Sequence, residues 1–103
     1  MTGKYLPSNV PPVYRGGNSL TFRPYEVRLD KQTGMVLPSH GISVDSEPEN
    51  VVKFGGAYLV KAIPHELTIV QRGRRESHYE IVALSPVPPE RYQELLDQID
   101  LEL

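Results

Sequence analysis

The stretch "ELTIVQRGRRESHYEIVAL", residues 66–84, decides the fold. Its two arms, "ELTIVQ" and "HYEIVAL", are rich in β-branched and apolar residues, so each reads as a strand. "RGRRES" between them is short, polar and carries Gly73, which makes it a hairpin connection. In the second arm His78, Glu80, Val82 and Leu84 share one face, and Tyr79, Ile81 and Ala83 share the other. One face is therefore apolar, while the other opens with a histidine and a carboxylate. Prolines 86, 88 and 89 end the sheet on this side.

Working outward, "AYLVKAI" before the hairpin is another strand. "HGISVD", residues 40–45, is a short strand in which Ile42 and Val44 face the core and Ser43 faces away. Between them "SEPENVVKF" carries a helix-start signal, with Ser46 as N-cap, Pro48 in the first turn and Glu49 three after the cap. It predicts a small mid-chain helix closed by Gly55 and Gly56. "PVYR" is a strand stopped by Gly16 and Gly17. "LTFRPYEVRLD", residues 20–30, predicts a further strand, with Pro24 marking an edge or bulge, and "MVLP" returns as its hairpin partner across "DKQTG". Residues 1–12 hold three prolines and read as an irregular lead-in. After Pro89, apolar Tyr92, Leu95, Leu96 and Ile99 recur at helical spacing, so a closing amphipathic helix packs on the sheet. The fold class is α+β: about five or six short strands in a compact split antiparallel or mixed sheet, one short helix, and a C-terminal helix.

The 103 residues suit one domain, and the 39% apolar, 23% charged composition is that of a soluble globular chain. The net charge of −2 gives no basic excess for general nucleic-acid or membrane binding. There is no cysteine, so disulfides, thiolate nucleophiles and cysteine-ligated zinc are excluded. "MTGKYLPSNVPP" lacks the apolar run of a signal peptide, and no segment approaches the roughly 20 apolar residues of a membrane span. The expected location is cytoplasmic. His40, His65 and His78 are scattered without ligand spacing, so no metal site is expected. Ser43 with His40 and Asp45 lacks the nucleophile-elbow pattern of a serine hydrolase.

Three short stretches carry chemistry. In "VYRGG", Arg15 offers a planar cationic fork beside the bare backbone of Gly16, which suits a phosphate. In "HGISVD", Ser43 supplies a small hydroxyl. In "HYE", His78, Tyr79 and Glu80 set polar groups at the mouth of a core strand, where a charged ligand group meets little competing water. "RGRR" at 72–75 lacks interleaved aromatics and reads as a solvated hairpin tip.

In this order, "VYRGG", "HGISVD", "IPHELTIVQRGRRESHYEIVALSP" and the closing helix resemble the small ADP-ribosyltransferase-like toxin domains of bacterial type VI secretion effectors. The resemblance covers residues 13–99. It implies a split sheet with a cleft for NAD as substrate, and either transfer of ADP-ribose to a protein target or hydrolysis of NAD, with no metal. It implies that Arg15 contacts the NAD phosphates or the adjoining ribose, that Gly16 and Ser43 support the dinucleotide, and that Glu80 holds the nicotinamide ribose. His78 stands where many such transferases carry a carboxylate or glutamine, which gives His78 and Tyr79 roles beside Glu80 through hydrogen bonding or stacking on nicotinamide. A neutralising immunity protein is the implied partner, and delivery into a target cell without a signal peptide the implied route. Two alternatives are a non-catalytic protein-interaction module on the same fold and an RNA-directed activity using Arg15 and "RGRR".

Overall fold

The computed structural model describes residues 3–103. Among these residues seven strands appear in chain order: β1 (Lys4–Tyr5), β2 (Tyr14–Gly16), β3 (Ile42–Asp45), β4 (Ala57–Pro64), β5 (Leu67–Gln71), β6 (His78–Ala83) and β7 (Asp100–Glu102). An α-helix, α1, spans Pro89–Leu96. The sheet order is β1-β4-β2-β3-β6-β5, with β7 also on β4, and these pairings are antiparallel. The expected hairpin is present as β5 and β6, in register from Leu67 opposite Ala83 to Gln71 opposite Tyr79.

β4 leads into β5 through only His65 and Glu66, yet the two strands sit far apart in the sheet order. The sheet curls to permit this. The Tyr5 hydroxyl on β1 donates to the Leu67 carbonyl on β5 at 2.6 Å, tying one end of the sheet to the other. The inside of the curl holds Val13, Ile42, Val44, Val60, Ile63, Leu67, Ile69 and Ile81. Helix α1 adds Tyr92, Leu95 and Leu96 to that core. Pro89 starts the helix, where its missing N–H has no partner to lose, and Glu90 favours the positive end of the dipole. The Cα radius of gyration, 12.9 Å, matches the ~13 Å of a compact 100-residue body.

Several expectations from the sequence are corrected. The strand over residues 20–30 is absent; Pro24–Glu26 forms a 3-10 turn instead. All that survives of the supposed hairpin is a single bridge, with Leu29 opposite Val36. The mid-chain helix is replaced by two 3-10 turns, Pro48–Asn50 and Val52–Phe54, and Glu47 rather than Ser46 stands at the cap. Val52 and Phe54 are exposed rather than packed, so the segment buries too little to hold a longer helix. The lead-in contributes β1, with residues 1 and 2 outside the described part. Finally, Ile99 is buried beyond the end of α1, and the chain after it returns as β7.

Side chains enter the sheet at two places. Between β3 and β6 the Ile42 N–H donates to the Tyr92 hydroxyl at 3.1 Å, and that hydroxyl donates to the Ile81 carbonyl at 2.6 Å. A rung of the ladder thus runs through a phenol. Gly41 makes the approach possible, because a Cβ there would overlap the Ile81 carbonyl and lie 2.7 Å from the Tyr92 hydroxyl. The second place is the parting of β2 from β3.

Candidate functional site

β2 and β3 share one register position, Tyr14 opposite Asp45. Continued by two residues, the ladder would set Gly16 opposite Ser43, but the strands diverge first. The N–H and C=O of Ser43 would then be orphaned, which is costly for semi-buried backbone. An ion pair takes the place of the missing rung. Arg15 Nη1 donates to the Ser43 carbonyl at 2.9 Å, and Glu26 Oε2 accepts from the Ser43 N–H at 3.2 Å. The two side chains also meet each other, Nη1 to Oε2, at 3.0 Å.

The pair is buried: the side chains of Arg15 and Glu26 are 8% and 6% exposed. Such pairs hold only when their remaining donors and acceptors are satisfied. Here Arg15 Nε donates to the Ser19 carbonyl at 3.1 Å, and Glu26 Oε1 accepts the Arg23 N–H at 3.0 Å at the start of its own turn. Burial pushes the Glu26 carboxyl upward, but the Arg15 hydrogen bond, the Arg23 N–H, the Arg15 charge and the Ser43 N–H outweigh it. The net result is a carboxyl below its usual range. Glu26 is therefore an anion at neutral pH. Among the described residues Arg15 Nη2 has no hydrogen-bond partner.

The parting opens onto a cavity of about 410 Å³, within the ~300–1,000 Å³ range of small-molecule sites. Its charged lining is Arg15, Arg23 and Glu26. Hydroxyls of Ser19, Thr21 and Ser43 and the amide of Asn18 add polar groups, and Tyr25 and Phe54 add rings. Both rings are largely exposed, at 78% and 62%. The lining also includes Gly16, whose bare backbone lies beneath Phe54; a Cβ there would come within 2.9 Å of the ring. Gly17 then turns the chain with φ of 77° and donates its N–H to the Gly56 carbonyl.

Of the residues expected from the sequence, the structure brings Arg15, Gly16 and Ser43 to this cavity. His78, Tyr79 and Glu80 are not among its lining residues. They are nonetheless close in the sheet, because β6 is the neighbour of β3 and Glu80 stands directly opposite Ser43. Cβ atoms of such a pair lie about 5 Å apart. Glu80 Oε1 accepts the Gly41 N–H at 3.2 Å, and Oε2 lies 3.4 Å from His78 Nε2. Arg72 Nε is 3.1 Å from Oε1, a charge contact in which the buried N–H is not aimed at the oxygen. Tyr79 takes the opposite face and packs against the core. In the register Arg15 also has the parity opposite to Glu80, so the two reach the Ser43 region from different faces.

Glu26, Arg23, Tyr25 and Phe54 were not singled out from the sequence. The signal available for Glu26 was Pro24 two residues earlier, which favours a turn whose third residue bonds back to the start. The basic tip behaves as a local scaffold. Arg75 pairs with Asp45 at 2.8 Å and Arg72 pairs with Glu80, so two of its three arginines are neutralised in place. Asp45 is 1% exposed. Burial raises its carboxyl, and bonds from the Glu47 N–H, Asn50, Ser77 and Arg75 bring it below the usual range. Among the described residues no helix is long and apolar enough to cross a membrane. Comparisons of the chain with protein-family models, with curated proteins and with solved structures gave no match.

Proposed function

We propose that the chain binds NAD in the cavity at the parting of β2 and β3 and transfers its ADP-ribose to a target, or to water. The observation that carries the reading is the cavity's position. It lies between the Arg15 strand and the Ser43 strand, and the strand bearing His78 and Glu80 is next in the sheet. The resemblance in sequence order, from "VYRGG" to "HGISVD" to "HYE", supports the same assignment of roles.

The lining chemistry fits a dinucleotide. Arg15 Nη2 and the Arg23 guanidinium are donors for the pyrophosphate, held on a rigid wall so that the ligand is presented in one pose. Ser43, Ser19 and Thr21 are at hand for ribose hydroxyls. In the reaction the bond between the ribose C1′ and the nicotinamide nitrogen breaks, and nicotinamide leaves with the bonding pair as a neutral base. The ribose passes through an oxocarbenium-like state. A nucleophile on the target, or water, forms the new bond to C1′ and gives up its proton to solvent. Glu80 stands outside the cavity lining, opposite Ser43 on the neighbouring strand and held by Gly41 and His78, and the resemblance assigns it as the anion that faces the nicotinamide ribose. An anion held in place beside developing positive charge lowers the barrier without reorganisation. The ADP-ribosyltransferase-like fold, the toxin role and a neutralising protein partner belong to the same proposal.

The test is incubation of the purified protein with NAD. Nicotinamide release and a rise in melting temperature of a few degrees at millimolar NAD are expected. Glu80→Gln should lower release by ~10²-fold, the scale of losing one preorganised electrostatic group. Absence of both release and thermal shift in the unmodified protein overturns the reading.

A further inference from the structure

We infer that Glu26 is the positioning and charge-setting residue of this cavity: it aims the Arg15 guanidinium and selects a weakly charged dinucleotide over more highly charged phosphate ligands. The inference rests on the nucleotide reading of the cavity but not on any turnover of NAD.

The aiming comes from the hydrogen bonds. A guanidinium has five N–H groups in a fixed plane. Ser19 holds Arg15 at Nε, and Glu26 with the Ser43 carbonyl holds it at Nη1. Three anchors on a planar group fix its rotation, and the donors at Nη2 remain for whatever enters the cavity. Without the carboxylate, Nη1 keeps only the Ser43 carbonyl, and the Ser43 N–H loses its acceptor.

The charge setting comes from the lining. Its charged side chains are two arginines and one glutamate, so the wall carries a net single positive charge. The Glu26 carboxyl is held below its usual range, so that balance holds at neutral pH. NAD carries a pyrophosphate whose charge is partly offset by its cationic nicotinamide. ADP has the same pyrophosphate linkage without that offset. A wall of one net positive charge suits the former better, and a wall of two would suit the latter.

The experiment compares NAD and ADP binding by calorimetry in the unmodified protein, in Glu26→Gln and in Arg23→Gln. Glutamine keeps the size of glutamate and can still accept the Ser43 N–H. Arg23→Gln leaves the Arg15–Glu26 pair in place, so its fold is not at risk. The ratio of ADP to NAD affinity should rise about tenfold in Glu26→Gln and fall by a similar factor in Arg23→Gln, the effect of one unit charge near a partly buried ligand. NAD affinity itself should drop in Glu26→Gln, because a neutral amide oxygen holds Arg15 less firmly than the carboxylate does and the amide N–H is turned toward the Arg23 N–H. Ratios that stay fixed, or move in the same direction in both variants, overturn the inference and leave Glu26 a structural residue. An unmodified protein that binds ADP but not NAD overturns the NAD-transfer reading, and it also overturns the selectivity inferred here. Binding of NAD without nicotinamide release sinks the reaction alone, and the ratios still decide the role of Glu26. Binding of neither ligand overturns both.

Discussion

The Tyr92 hydroxyl does the work of a backbone group. It accepts from Ile42, donates to Ile81, and so replaces a rung between β3 and β6. Burial raises its phenol well above the usual range, so it remains a donor at any working pH. Tyr92→Phe removes the relay but keeps the ring that meets Phe22 at 5.4 Å between centroids. It leaves two buried backbone groups unpaired, and a loss of about 1–3 kcal/mol is expected in urea denaturation. The same scale explains what the sequence disclosed of the site and what it hid. Arg15 and Ser43 were legible because a guanidinium before two glycines and a hydroxyl between two core residues are local patterns. Glu26 was not, because its partners are Arg15 and Ser43, which meet it only after the chain has folded.

At the scale of elements, the hairpin of β5 and β6 and the helix α1 were legible because each carries its own period. The segment over 20–30 misled because Leu20, Phe22, Val27 and Leu29 mimic a strand's apolar spacing. In its first part the backbone groups find a side chain rather than a neighbouring strand, and its end pairs with backbone, at the Leu29–Val36 bridge. The Phe22 N–H donates to Gln93 Oε1, and Gln93 Nε2 donates to the Leu20 carbonyl. Gln93 lies on α1, remote in sequence, so no local pattern signals the arrangement. β7 was hidden for a different reason: Asp100, Leu101 and Glu102 alternate for only three residues and depend on β4 as a template. Lys61 with Glu102 and Lys4 with Asp100 are exposed pairs and contribute little. Pairing with β4 and cover of its edge are what β7 supplies. A chain ending at residue 99 should therefore keep its helix, lose a few degrees in melting temperature and self-associate through the bared β4 edge, measurable by light scattering.

For the whole molecule, acid is the natural stress. Glu26 ties the turn at Pro24–Glu26 to β2 and β3, and Asp45 ties the loop after β3 to the hairpin tip. Both carboxyls are held below their ordinary values of 4.5 and 3.8. A lowered folded-state value contributes stability that is complete above the unfolded value and is lost as pH falls through the folded one. Stability should be level above about pH 5 and decline steadily below 4.5, with 3.8 and lower the steepest range, when followed by denaturant midpoints against pH. A midpoint that holds constant down to about pH 3 would show that these two groups do not bind the parts together.

The parting between β2 and β3 has one more consequence. Two adjacent antiparallel strands ordinarily zip until something stops them, and here the stop is a pair of side chains wedged into the seam. The width of the opening is therefore written in the reach of one arginine and one glutamate rather than in the backbone. Shorter polar residues at both positions would let Gly16 close on Ser43, turning an open-mouthed sheet into a sealed one with its strands otherwise unchanged.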